Sequence, residues 1–223
     1  MTRSRFQEGL DELKTHLLTM AGMVENAIEL TVRAYSARDL ALCQRVLDGE
    51  QDINLAEREI DELAFDLLAM QQPMAVDLRF ILAVMKINAD LERMGDQAVN
   101  IVQRVMDLAA LPPAELAADI PRIADQSLEM IRLAIQAFIS GSADSAQRVL
   151  EMDDTVDQMN REIFLAMDKA MREAPNVTRQ ALDALLISRN FERMADHATN
   201  IAEDVIFWQR GADVRHHAQD QGT

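Results

Sequence analysis

Two stretches of this chain carry polar residues at the same helical spacing. Asn88, Glu92, Asp96 and Asn100 stand in the first, and Ser188, Glu192, Asp196 and Asn200 in the second. A step of four advances only about 40° around an α-helix, so each set shares one stripe. Carboxylates and side-chain amides are hard oxygen donors, the ligands that multivalent cations take. Two like charges at i,i+4 destabilise an isolated helix by a few tenths of a kcal/mol. An arrangement of that kind made twice implies a positive counterpart. Arg93 and Arg193 are one candidate, although they sit about 100° around from the glutamates. A hard cation is another. The structural alternatives are a solvated charged face and a polar network that holds helices in register.

The preceding helical segment of each half adds acids at compatible spacing. These are Glu50, Asn54, Glu57 and Asp61 in the first half, with Asp153, Asp157, Asn160 and Phe164 as their equivalents in the second. Glu50, Glu57, Asp61, Asp153 and Asp157 are therefore secondary ligand candidates. Phe164 in place of Asp61 means that the two sites are not chemically identical. Other reactive side chains carry less. Cys43 is alone on an amphipathic segment and is expected to be buried. The 14 methionines read as adaptable core filler. His197 follows Asp196 off the stripe and is expected at the surface. His216 and His217 lie in a polar tail. Phe207 and Trp208 close the last helical segment, either anchoring its end or facing a partner.

These stripes need helices to carry them. Only 7 Gly and 5 Pro punctuate 223 residues, and Ala, Leu, Met, Glu, Gln and Arg dominate. The chain reads as all-α, with helices over 6–36, 39–71, 74–109, 119–139, 142–173 and 176–209. Pro73, Pro112–Pro113, Pro121 and Pro175 mark the breaks. Asp39 and Ser142 are expected helix caps. Asp77 is expected in a capped first turn, where it complements the helix dipole. Helices of about 30 residues run about 45 Å and, joined by short turns, form antiparallel bundles.

The chain also repeats itself. Glu92-Arg93-Met94 and Asp96 recur as Glu192-Arg193-Met194 and Asp196, one hundred positions on. Gln44-Arg45-Val46-Leu47 recurs as Gln147-Arg148-Val149-Leu150, and Arg58-Glu59-Ile60 as Arg161-Glu162-Ile163, at an offset three larger. The difference falls around Pro73 and Pro175. The architecture is thus two tandem antiparallel three-helix bundles, 1–111 and 119–210, with a flexible tail over 211–223.

Composition excludes several functions. Lys+Arg number 22 against 38 Asp+Glu, a formal charge of −16 that repels nucleic acid and anionic membrane surfaces. One cysteine rules out an internal disulfide framework. No long apolar window reads as a membrane span, and Glu8, Asp11 and Glu12 stand where a signal peptide needs an apolar core. A cytoplasmic location is expected. No Gly-rich phosphate cradle is present. A carboxylate di-iron oxidase needs Glu-x-x-His on two helices. The residues three before His16, His197, His216 and His217 are Leu13, Met194, Asp213 and Val214, so that signature is missing.

Gln72-Pro73, Asp77-Leu78-Arg79, Glu92-Arg93-Met94-Gly95-Asp96 with Asn100, and Glu192-Arg193-Met194-Ala195-Asp196-His197-Ala198 with Asn200-Ile201-Ala202-Glu203 together resemble the PhoU family. The resemblance runs from about Phe6 to Gln209. It implies a cytoplasmic, homodimeric, non-enzymatic repressor of phosphate uptake and phosphate-starvation signalling. The partners it implies are a phosphate ABC-transporter ATPase and a sensor histidine kinase, with the membrane contacted only through them and no nucleic acid bound. It also implies metal at Glu92, Asp96, Asn100, Glu192, Asp196 and Asn200, as divalent or trivalent ions, iron or zinc, in multinuclear clusters in some members. The second half departs from the pattern, having Ala174-Pro175-Asn176 where the first has the Q-P-x-x-x-D-L-R element. The alternative to a metal-occupied adaptor is a metal-free scaffold whose apolar and acidic faces bind partner helices.

Overall fold

A computed structural model describes residues 3–71 and 73–211, with the side chains of residues 3, 4, 70 and 71 left aside. Gln72, His216, His217 and the tail beyond Gly211 lie outside the described residues. Within them the chain forms α1 (Arg3–Ala37), α2 (Leu40–Gln71), α3 (Ala75–Ala109), α4 (Ile120–Ser140), α5 (Ala143–Glu173), a 3-10 turn (Pro175–Val177) and α6 (Thr178–Arg210), with no strand. The expected helix boundaries hold to within three residues.

The stops have local causes. Asp39 caps α2, its carboxylate accepting the N–H groups of Ala41 at 2.8 Å and Leu42 at 3.2 Å. Arg38 ends α1 in a left-handed conformation, φ 50°, and its guanidinium donates to the Leu108 carbonyl at the end of α3. Ser142 caps α5 by accepting from the Ser145 N–H at 3.1 Å. Gly141, at φ 61°, closes α4 with Ser142 N–H donating to the Ala137 carbonyl at 3.0 Å, a turn that a side chain at Gly141 would strain. Asp119 caps α4, with Pro121 in the first turn. Asp77 does fall in the first turn of α3, but the N-cap there is Met74, which supplies no side-chain acceptor.

The three-residue offset between the repeats has a plain origin. α5 is one residue shorter than α2, at 31 against 32. Three residues separate Gln71 from Ala75, and one separates Glu173 from Pro175.

The two repeats share one core rather than standing apart. Buried Leu, Ile, Val, Met and Phe from all six helices form a single apolar cluster. The third helix of each repeat makes the principal seam, α3 running antiparallel to α6. Polar bridges date the register along it: Arg104–Asp183 at 3.6 Å, His197–Asp90 at 2.8 Å and Lys86–Asp204 at 2.8 Å. At one end Phe80, Phe138 and Trp208 pack together, with ring centroids 5.1–6.0 Å apart. Arg79 donates to the Trp208 carbonyl at 3.2 Å. Trp208 therefore anchors the end of α6, as one of the two sequence readings had it. On the far side, Arg132 of α4 bridges Glu25 and Glu29 of α1.

Candidate functional site

The ridges form because one stripe of α3 and of α6 stays outside the core while its neighbours go in. Met94, Ala98 and Ile101 are buried, and so are Met194, Ala198 and Ile201. Glu92 and Glu192 are half-buried at the edge, and Asp96 and Asp196 are exposed. The neighbouring second helix of each repeat then brings its own acids alongside.

Electrostatics shows which carboxylates influence one another. Burial pushes Glu92 above the ordinary glutamate range, and the charges of Asp96, Glu57 and Glu50 push it further, against a partial offset from Arg93. So Glu50, Glu57, Glu92 and Asp96 form one group. In the second repeat burial, then Asp196, Asp157 and Asp154, raise Asp153 to about 6. Glu192 is raised by burial, Asp196 and Asp157, and Asp196 by burial and Asp157. Asp153, Asp157, Glu192 and Asp196 are the second group. Arg93 and Arg193 act only as partial offsets. Among the described residues no lysine or arginine forms an ion pair with Glu50, Glu57, Glu92 or Asp96, and Asp157 has only Arg161 at 3.9 Å.

Two expected site residues have other engagements. Asp61 accepts a hydrogen bond from Asn88 Nδ2 at 3.1 Å, and the same amide nitrogen donates to the Glu57 carbonyl at 2.9 Å. Asp61 is not among the charges that raise Glu92. Asn200 Nδ2 donates to Asp90 Oδ1 at 3.3 Å, which turns Asn200 toward α3 and away from the second carboxylate group. Two steps of four accumulate about 80° of rotation, enough to carry the last residue of the stripe onto the seam. Asn100 is exposed.

His197 corrects the sequence reading. It is buried, 9% exposed, and its Nδ1 lies 2.8 Å from Asp90 Oδ1. Its spacing contained the signal: three residues after Met194 and four before Ile201, it falls on the core face. Asp90 is likewise three after Ile87 and four before Met94. Sequence reasoning also passed over Asp183, whose carboxyl is raised by burial and lowered by Arg104.

The carboxylate groups fit a hard cation by donor chemistry. They are oxygen-only, mutually repelling and poorly compensated by arginine. Among the described residues no three His, Cys, Asp or Glu side chains converge as a metal-binding group.

Comparison with known proteins decides the family. The PhoU domain matches residues 17–105 and again 120–205.

The chain belongs to the PhoU domain family.

It is 37% identical over 213 residues to a Pseudomonas putida protein named phosphate-specific transport system accessory protein PhoU homolog, covering 95% of this chain and 83% of that one. The crystal structure of PhoU from Pseudomonas aeruginosa superposes with a TM-score of 0.90 at 35% identity, covering 93% of this chain and 100% of that one. The phosphate transport system regulatory protein PhoU from Streptococcus pneumoniae superposes at 0.87 with 26% identity, covering 94% and 99%. The duplicated PhoU domain coincides with the two three-helix repeats. No described helix is long and apolar enough to cross a membrane.

Proposed function

We propose that this PhoU protein is a non-catalytic accessory regulator of phosphate uptake, working as a cation-dependent adaptor in the cytoplasm between a phosphate importer's ATPase and a sensor kinase. The relatives' names supply the transport-system context. The observation that carries the adaptor reading is the pair of carboxylate groups on the second and third helices of both repeats, where burial and then neighbouring carboxylate charge raise Glu92 in the first and Asp153, Glu192 and Asp196 in the second.

Glu50, Glu57, Glu92 and Asp96 would hold ions on the first repeat, and Asp153, Asp157, Glu192 and Asp196 on the second. A bound cation supplies charge neutralisation. The protein's part is to hold the acids side by side on two neighbouring helices of each repeat. An oxygen-only donor set favours hard ions, so ferric iron fits better than zinc, which prefers nitrogen and sulfur. His197, which follows Asp196, is already engaged by Asp90. Homodimerisation would present both ridges twice.

The test is a pull-down of the importer ATPase and the sensor kinase, with and without chelator. Capture by the wild type that chelator abolishes, and that Glu92→Gln/Asp96→Asn with Glu192→Gln/Asp196→Asn also loses, is expected. Capture that ignores both chelator and substitutions would leave a metal-free scaffold. Capture of neither partner would remove the adaptor reading.

A further inference from the structure

The second repeat carries an open groove of about 590 Å³ between α5 and α6. One end is apolar. Phe164, Leu182 and Leu186 line it while 58%, 47% and 46% exposed, with Leu185 behind them. Arg161 and Arg189 lie in the middle, and Glu192 and Asn160 lead to the other end. Beyond Glu192 stand its electrostatic neighbours Asp157 and Asp196, and with them Asp153. From Phe164 back to Asp153 is eleven residues of helix, about 16 Å.

The first repeat borders its acids differently. Asp61 occupies the place of Phe164, Lys86 that of Leu186, and Glu62 that of Leu165, itself 65% exposed. Both repeats carry acids, but only in the second do Phe164 and Leu186 bring the exposed apolar surface up to them; in the first, exposed Phe65, Leu78 and Leu82 lie about a turn further along the helices. Exposed aromatic and leucine side chains clustered on a chain this acidic are a binding surface more often than an accident.

We infer that the groove receives a partner protein's amphipathic helix, whose apolar side chains seat on Phe164, Leu182 and Leu186 and whose basic side chains reach the carboxylates about three turns away. Charge complementarity chooses this occupant. A second copy brings its own net charge of −16 to the contact, whereas lysines or arginines relieve the mutual repulsion of Asp153, Asp157, Glu192 and Asp196. Arg161 and Arg189 set the polarity, because they disfavour basic residues over the middle of the groove. An apolar stripe at helical spacing with charges to one side is a recurrent way for a helix to dock.

The inference goes beyond the regulatory reading and does not need it: it concerns the second ridge when no ion occupies its carboxylates. The probe is a fluorescent synthetic helix with leucines on one face of its first half and lysines on the same face of its second, titrated against the full chain in chelator. Metal occupancy and the natural partner then play no part. Binding should weaken about tenfold with Phe164→Asp and with Leu186→Lys. Both substitutions install the residue that the first repeat carries, at exposed positions, and thermal melting verifies folding. A probe with glutamates for lysines should bind about tenfold more weakly, and raised salt should weaken the lysine probe. No binding by the wild type overturns the proposal. So does equal binding of both probes, or binding unchanged in whichever of the two variants melts like the wild type. Sedimentation that shows a dimer broken by Phe164→Asp gives the groove to a second copy instead, and also overturns it.

Discussion

In the first repeat Asn88 reaches from α3 to two points on α2, the Glu57 carbonyl and the Asp61 carboxylate. In the second, Ser188 makes one shorter link, its hydroxyl donating to Asn160 Oδ1 at 2.8 Å. Gly95 lets Ile53 approach, since a Cβ there would lie 3.3 Å from two Ile53 carbons. The second repeat has Ala195 and Val156 at the equivalent positions, a methyl added on one helix and removed from the other. Asp90 in the first repeat matches Asn190, and Gln97 matches His197. The copies keep the acids of the third helix and, at the Gly95–Ile53 contact, the packing volume. They differ in the polar residues that tie helix to helix, and in what borders the ridge. A duplicated scaffold can thus hold its charged face constant while each copy acquires its own surroundings.

The sharpest way to break this comparison is at the seam, where the repeats have become complementary instead of alike. Asp90→Ala leaves the buried His197 and the Asn200 amide without their shared acceptor. It should cost about 3 kcal/mol of unfolding free energy, read from the urea midpoint. Asn190→Ala, at the equivalent place, should cost under about 0.5 kcal/mol. Equal effects would mean that the seam is symmetric in energy despite its sequence.

The tethers come next. Asn88→Ala removes both links of a buried amide and should cost about 2 kcal/mol, against about 1 kcal/mol for Ser188→Ala. The amide's own oxygen has no partner, which trims what Asn88 contributes. A larger loss at Ser188 than at Asn88 would reverse the order.

The smallest effect concerns the second ridge and has a definite sign. Asp153 titrates near 6 in the folded chain, above its ordinary value near 4. The folded state therefore binds more protons between these values. The stability this group contributes is complete below about pH 4 and is lost as pH rises through about 6. Asp153→Asn should stabilise the protein by about 1 kcal/mol at neutral pH, after allowance for solvent screening, and the gain should vanish near pH 4. Thermal melts across pH check it. A gain that persists in acid would point to packing instead of charge.

The helices were legible because the few prolines fall at or beside the breaks and Asp39, Gly141 and Ser142 mark turns, while the other glycines of the described helices are too isolated to end them. The carboxylate groups were legible because a step of four keeps Glu92 with Asp96 and Glu192 with Asp196, and Glu50 and Asp153 stand at matching places on α2 and α5, although Glu57 matches Asn160 and Asp157 matches Asn54. The sequence did not reveal that α3 would lie antiparallel to α6, since that depends on which faces two distant helices share. His197, Asp90 and Asn200 lie within a turn or two of the ridges yet point into the seam. The groove escaped notice for a related reason. Leu182, Leu186 and Phe164 look like core residues until the packing leaves them outside.

Cation binding itself decides whether the ridges do what their chemistry allows. Chelator-stripped protein titrated calorimetrically with ferric citrate, then with zinc, reports ions bound and protons released. Uptake at both ridges is predicted, with more protons released at about pH 6 than at about pH 7.5, because raised carboxyls must lose protons to bind. Glu92→Gln/Asp96→Asn should remove one share of the uptake and Glu192→Gln/Asp196→Asn the other. Uptake that neither pair of substitutions reduces, or no uptake in the intact protein, would contradict cation binding as the purpose of the two acidic faces.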